Sequence, residues 1–370
     1  MKIGIITIID NNNYGNRLQN YALSTYLKNH FNIDNITLKN NYLKNNRNNY
    51  YKNKNKCEFI KIKRNLKKFL LPIIDWKYLS SYARESNFKK FNKKINLSNK
   101  EINILSNLNN YDYVIVGSDQ VWNPDHNRLS ELDLLSNVEP QKRISYAASF
   151  GIDSLDKNNS IKVKKEISKF KAISVREDKG KEIIQNITNR QDVEVLIDPT
   201  MLLSSNEWEK VLAKPNNFKV KKYILNYFLG ELSEERKKEI NRIAKENNCE
   251  IINILDKNDI YYTYGPSEFL YLEKNAFLIC TDSFHSCVFA IIFNKPFIIF
   301  DREQEGVKSM NSRLDTLIDK FELKNRKYNG KMITNNNLNH DYTEAYKILE
   351  KEREKSKKFL EKALDIEDYK

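Results

Sequence analysis

At 370 residues the chain exceeds one ordinary core, so two domains are expected, and 40% hydrophobic with 11% aromatic residues is enough to fill them. The formal net charge of +14 admits nucleic acid, an anionic membrane or an acidic substrate, but the chain is rich in Asn, Lys and Ile throughout. Its basic residues are spread over every segment with no nucleic-acid recognition motif, so a basic non-catalytic binding protein stays a minor reading and no nucleic-acid partner is expected. Cys57, Cys249, Cys280 and Cys287 have no CxxC spacing, which implies neither a zinc site nor a disulfide framework and fits a reducing cytoplasm.

Ile3 to Ile9 reads as a buried parallel strand, and it is too short for a signal peptide or a membrane span. A polar loop with Gly15, Asn16, Arg17 and Gln19 then leads into a helix whose apolar face is Leu18, Tyr21, Ala22, Leu23 and Leu27. The loop is neither GxGxxG nor a P-loop. Asn16, Arg17 and Gln19 stand either where a ligand is gripped or at an ordinary capped helix start. Ile33 to Leu38 is the second strand. Between 59 and 73, apolar residues recur at helical spacing among lysines. This stripe either packs on its own domain or lies peripherally on the inner face of an anionic membrane. Residues 76–108 read as largely helical.

Tyr111 to Val116 is a strand ending in Gly117-Ser118-Asp119-Gln120-Val121-Trp122-Asn123-Pro124, a loop crowded with small, polar and aromatic groups of the kind a sugar or phosphate pocket needs. Strands follow at Arg143 to Phe150 (with Ser145), Phe170 to Val175 (ending in Arg176) and Val193 to Ile197 (ending in Asp198-Pro-Thr). An arginine at a strand end suits bidentate contact with a carboxylate or phosphate. These make a first α/β domain, 1–204, with a helical insertion at about 57–108. A second, 205–340, opens with a strand at Tyr223 to Leu229 and contains helix 232–247, strand Glu250 to Leu255 and helix 266–275. A charged helix over 341–370 closes the chain.

Residues 275–300 hold the second domain's strand-turn-helix-strand. Thr281, Asp282 and Ser283 are good N-cap residues, and the turn bearing Ser283, Phe284, His285 and Ser286 falls at the carboxyl ends of the strands, where open α/β sheets bind ligands. A helix N-terminus also favours an anion. The simpler reading is that His285 bonds only to its own turn. Cys287 sits in an apolar run and reads as a core thiol.

Taken together, Gly15-Asn-Arg-Leu-Gln-Asn-Tyr-Ala-Leu23, Gly117 to Pro124, Ser145-Tyr-Ala-Ala-Ser-Phe-Gly151, Ser174-Val-Arg-Glu177, Asp198-Pro-Thr-Met-Leu-Leu203 and Thr281-Asp-Ser-Phe-His285 give the chain a resemblance to the polysaccharide pyruvyl transferase family. The resemblance implies two Rossmann-like domains with parallel sheets facing across a cleft, as in GT-B glycosyltransferases. It implies phosphoenolpyruvate as co-substrate, with no cofactor or metal, and a saccharide or lipid-linked glycan as acceptor. His285, Arg176 and Asp119 become the expected catalytic residues. Arg176, Ser283, Phe284, His285 and Ser286 become the donor site, with Ser286 standing where the family often has Gly. Gly15, Asn16, Gln19, Gly117, Ser118, Asp119, Trp122, Asn123 and Ser145 become the cleft or acceptor side. The competing enzyme is a sugar-nucleotide glycosyltransferase. Glu344 and Glu352 have the Glu-x7-Glu spacing of some such enzymes, in a helix so rich in Glu and Lys that chance produces it.

Overall fold

The computed structural model describes residues 1–40, 76–126, 128–302 and 312–366. The basic stripe at 59–73 lies outside them, as does much of the expected insertion.

The first half is a seven-stranded parallel sheet. Strand β1 (Lys2–Ile6) leads to helix α1 (Tyr14–Phe31) and strand β2 (Asp34–Asn40). Helix α1 starts where the Asn13 side chain accepts from the Asn16 amide and stops at Asn32 in the left-handed region, an end Asn tolerates well. Then come α2 (Trp76–Asn92), β3 (Leu97–Ile102), β4 (Tyr113–Asp119), β5 (Arg143–Ala148), α3 (Lys157–Ile167), β6 (Ala172–Val175), α4 (Asp178–Thr188) and β7 (Val193–Val195). The order is β3-β2-β1-β4-β5-β6-β7. Ile3, Ile5, Val114 and Val116 are wholly buried, as continuous apolar runs in a sheet covered on both faces must be. The order reverses between β1 and β4, and the crevice beyond their carboxyl ends is where such sheets hold ligands.

One expectation fails here. Residues 76–108 are not largely helical, because Leu97–Ile102 forms an edge strand in which Thr37 pairs with Leu97 and Asn40 with Ile102. Its central residues, Asn99, Lys100 and Glu101, are exposed. A solvated edge strand carries neither a β-branched run nor a clean alternation, so its sequence looks like any polar segment.

The second half starts with short helix α5 (Ser205–Glu209), then β8 (Tyr223–Tyr227), α6 (Glu234–Glu246), β9 (Glu250–Asn253), α7 (Pro266–Asn275), β10 (Leu278–Thr281), α8 (Phe284–Ile292) and β11 (Phe297–Ile299). Helices α9 (Ser312–Lys320), α10 (Asn335–Leu338) and α11 (Thr343–Ala363) follow. The parallel sheet runs β11-β10-β8-β9, so its order reverses between β8 and β10.

The two halves are bound through shared apolar surface. Tyr14 stacks on Phe269 with centroids 4.4 Å apart, and Trp208 meets Phe289 edge-on at 5.1 Å. The expected domain limit at 204/205 is thus fastened close by at Trp208, which is fully buried and donates its indole N–H to the Thr200 carbonyl. Helix α11 reaches both halves. Arg353 donates to the Met201 and Leu203 carbonyls, while the Tyr346 hydroxyl donates to the Ile291 carbonyl. Among the described residues no helix is long and apolar enough to cross a membrane.

Candidate active site

The first sheet supplies a charged network at its crevice. Beyond β1, the Thr7 hydroxyl donates to the Ser118 carbonyl and accepts from the Gln19 amide. Gln19 Oε1 in turn accepts from the Ser118 N–H at 3.2 Å, so α1 grips the end of β4 directly. Gly117 is required there: its φ is +120°, and a Cβ would stand 2.3 Å from the Tyr146 carbonyl oxygen. Asn16 accepts from the Asp10 N–H and donates to Asp119 Oδ2 at 3.1 Å.

Arg176, just past β6, spans two carboxylates. Nη1 donates to Asp198 Oδ2 at 2.8 Å and Nη2 to Asp119 Oδ1 at 3.3 Å. Asp198 is the hub. Oδ2 also accepts from Ser118 Oγ at 3.0 Å, and Oδ1 accepts from the Thr200 amide and hydroxyl. Burial alone would push the Asp198 carboxyl up, but His285, Arg176 and the Thr200 amide together hold it well below the ordinary range. Asp119 is lowered in the same way, with burial outweighed by Arg176, His285, Arg313 and the Asn16 hydrogen bond. Despite its burial, Arg176 is held above its ordinary value by Asp198, Asp119 and Glu177. The site therefore keeps fixed opposite charges in the dry crevice.

The second sheet brings one titratable ring to this network. At the end of β10, Thr281 Oγ1 donates to the Tyr227 carbonyl and accepts from the Ser283 N–H. Asp282 accepts from the Leu229 and Gly230 amides and from Arg302 Nε, which fixes the turn across the β8/β10 reversal. Helix α8 follows, and its first turn carries His285, buried, with Nε2 3.6 Å from Asp198 Oδ2. Gly15 closes the other side: a Cβ there would fall 2.0 Å from His285 Nδ1. The Arg176 guanidinium lies 4.6 Å over the Phe284 ring. Two buried nitrogens at this junction, Arg176 Nε and His285 Nε2, lack a hydrogen-bond partner among the described residues.

The structure thus gathers Gly15, Asn16, Gln19, Gly117, Ser118, Asp119, Arg176, Phe284 and His285, with Ser283 capping the same turn. Other expected cleft residues lie elsewhere. Trp122 is fully buried against Phe150 at 5.3 Å and gives its N–H to the Asp133 carbonyl, so it is a core residue and not a platform for a sugar. Asn123 is buried and accepts from the Asp125 amide. Ser145 is tied to Ser174 across β5 and β6. Ser286 turns away from the crevice and donates to Glu273 Oε1 at 2.5 Å. Arg17 bonds to Asn92, Asn20 and the Ile8 carbonyl. Cys287 is buried, which pushes its thiol well above the ordinary value.

Sequence reasoning missed Asp198 and Glu177 as site residues. Both stand within quoted motifs, directly after a strand. Glu177 Oε1 accepts from Ser149 Oγ and from the Phe150 and Gly151 amides, fastening the loop after β5. Glu344 and Glu352 pair with Lys347 and Lys320. Among the described residues no group of three His, Cys, Asp or Glu side chains could hold a metal ion.

Comparison with solved structures finds a UDP-N-acetylglucosamine 2-epimerase from Rickettsia bellii (12% identity, TM-score 0.48, 99% of this chain and 97% of that one). It also finds a glycosyltransferase from Rickettsia africae ESF-5 (11% identity, TM-score 0.46, 99% and 97%). A UDP-GlcNAc 2-epimerase from Methanocaldococcus jannaschii, in complex with UDP-GlcNAc and UDP, is a third (17% identity, TM-score 0.41, 95% and 99%). No curated protein matches the sequence. The profile of the family described as polysaccharide pyruvyl transferase matches residues 13–304, which takes in α1 with Gly15 and Asn16, the Asp119, Arg176 and Asp198 network, and His285. The chain belongs to the polysaccharide pyruvyl transferase family.

Proposed function

We propose that the protein transfers the pyruvyl group of phosphoenolpyruvate onto two hydroxyls of one sugar, in a surface polysaccharide or its lipid-linked precursor, forming a pyruvate ketal. The donor's methylene takes a proton and becomes a methyl group, making the adjacent carbon electrophilic. One acceptor hydroxyl adds to that carbon and the second displaces phosphate. The two hydroxyl protons balance the one delivered to the methyl group and the one carried off on phosphate. Such chemistry asks for a general acid and for cations around a doubly anionic donor.

The observation that carries this reading is the buried pair of Arg176, whose Nε has no hydrogen-bond partner among the described residues, and His285, whose Nε2 stands 3.6 Å from Asp198 Oδ2, brought together where the two halves join. A buried donor without an acceptor is rare, and an anionic ligand would complete Arg176 Nε beside the His285 ring. In this reading His285 hands over a proton, the facing Asp198 carboxylate stabilises the charged ring, and Arg176 holds the donor. The first-sheet side, with Asn16, Ser118 and Asp119, faces the acceptor. Asp119 is tied to Arg176 and Asn16 and its proton affinity is low, so it positions the acceptor and does not serve as its base. The protein would work where phosphoenolpyruvate is made, in the cytoplasm.

The test is phosphate release from phosphoenolpyruvate with free and lipid-linked saccharides supplied. Acceptor-dependent release is expected, falling by about 10²–10⁴-fold in His285→Ala while the protein still folds. Full activity in that variant would remove His285 from the reaction, and no release with any acceptor would remove the reaction itself.

A further inference from the structure

Helix α8 carries His285 on a body that gives its rotation little direction. Phe284, Val288, Phe289, Ile291 and Ile292 are buried and apolar, and apolar packing rewards burial without fixing orientation. Ser286 adds a directional contact: its hydroxyl donates to Oε1 of Glu273, on the neighbouring helix α7, at 2.5 Å. Glu273 is wholly buried, and its Oε2 has no hydrogen-bond partner among the described residues. Burial pushes this carboxyl well above its ordinary value. An apolar side chain of similar size would fill the place between α7 and α8 without that cost, and the reaction above does not use the group. A buried polar group kept at a cost can specify a register that apolar packing leaves open.

We infer that Glu273 is a positioning residue for His285: through Ser286 it sets the rotation of α8, and with it the direction in which the imidazole faces. The inference rests on the role given to His285 above. Successive residues of a helix lie about 100° apart around its axis. With Ser286 held against α7, the neighbouring His285 comes round to the crevice, where its Nε2 stands 3.6 Å from Asp198 Oδ2. Helix α7 is itself tied to the same place. Phe269, one turn before Glu273 and on the same face, stacks on Tyr14 with centroids 4.4 Å apart. Tyr14 precedes Gly15, where a Cβ would fall 2.0 Å from His285 Nδ1. These contacts close a circuit from α1 through α7 to α8 and back to α1, with Ser286 and Glu273 as its hydrogen-bonded link.

Steady-state kinetics of phosphate release and NMR of the imidazole signals, both on the full chain, test the inference. Glu273→Gln, whose amide oxygen still accepts from Ser286, should keep the wild-type kcat. Glu273→Leu should lower kcat about 10- to 100-fold, the scale expected when a reacting group is displaced by an ångström or less. Its KM for phosphoenolpyruvate should not change, and its thermal midpoint at neutral pH should match or exceed that of the wild type. Ser286→Ala should lower kcat as much, and the double variant no further, because both changes remove the same contact. The His285 ring signal, assigned by its loss in His285→Ala, should move in Glu273→Leu and in Ser286→Ala and hold its place in Glu273→Gln. The NMR arm does not depend on the reaction, so it decides the positioning even if no pyruvyl group is transferred. A ring signal unmoved in Glu273→Leu, a Gln variant as impaired as the Leu variant, additive losses in the double variant, or turnover that falls only in step with the thermal midpoint would overturn the inference.

Discussion

On the first sheet's side of the crevice, Asp119, Arg176 and Asp198 form a buried ionic chain, and Asn16, Gln19, Ser118 and Thr200 satisfy almost every polar atom around it. On the second sheet's side, helix α8 is buried from Phe284 to Ile292 and apolar except for His285 and Ser286. The contrast separates two tasks. The first side supplies fixed charge, oriented before any substrate arrives, which is the most economical way to stabilise charge in a dry site. The second supplies a single proton-carrying ring, positioned by packing against Gly15 and by the facing carboxylate of Asp198. The first side should therefore break through unpaired charge, and the second through displacement of the ring.

The largest effect on stability is expected at the hub. Asp198→Ala removes the carboxylate that both Arg176 and His285 face most closely, a loss of about 3–5 kcal/mol for a broken buried ion pair. The denaturation midpoint should fall accordingly and activity with it. A midpoint within error of the wild type would mean that the network is incidental. Next, Gly15→Ala pushes a methyl group into the His285 ring. Overpacking of this kind costs about 1–3 kcal/mol, and the predicted signature is a loss of turnover larger than the loss of stability. Unchanged turnover would show that the ring's place is not critical.

The two sides should also differ in their response to pH. Asp198 and Asp119 are lowered in the fold, so their contribution is present above the unfolded carboxyl pKa of about 3.9 and is lost as pH falls through the folded values. Glu273, behind α8, is the reverse. Burial, with only the Ser286 hydrogen bond opposing it, pushes its carboxyl well above the ordinary value. Its contribution is present below an unfolded pKa of about 4.3 and is lost as pH rises through the folded value. Glu273→Gln should flatten the alkaline limb of a stability–pH curve and leave the acid limb alone. An unaltered alkaline limb would mean that Glu273 is not held protonated. The smallest effect is expected from Trp122→Phe, about 1 kcal/mol for the lost bond to Asp133, with acceptor KM unchanged. A raised KM would restore Trp122 to the cleft.

Much of the fold was legible because buried parallel strands announce themselves as apolar runs, as at Ile3 to Ile6 and Val114 to Val116. Helix α7 was legible to the residue, since Gly265-Pro266 marks its start and Asn275 its end. The edge strand β3 was not, because only one of its faces is buried. At the site, strand-end polar residues such as Arg176 and His285 stood out against apolar flanks. Trp122 misled because a loop residue can pack inward when the loop itself is buried, which its own sequence does not record. Asp198 was passed over because Asp before Pro-Thr has an ordinary explanation, the cap of a short turn, and it does cap Thr200. Its second oxygen meets Ser118, Arg176 and His285, which are 80, 22 and 87 positions away in the chain. No local pattern encodes that convergence.

The most direct measurement is the mass of a saccharide acceptor after incubation with phosphoenolpyruvate and either the wild-type protein or His285→Ala. The account predicts a gain of one pyruvate less one water with the wild type, stable to phosphatase, and no gain with the variant. An acceptor that gains a phosphate or a sugar, or that gains pyruvate equally well without His285, would contradict it.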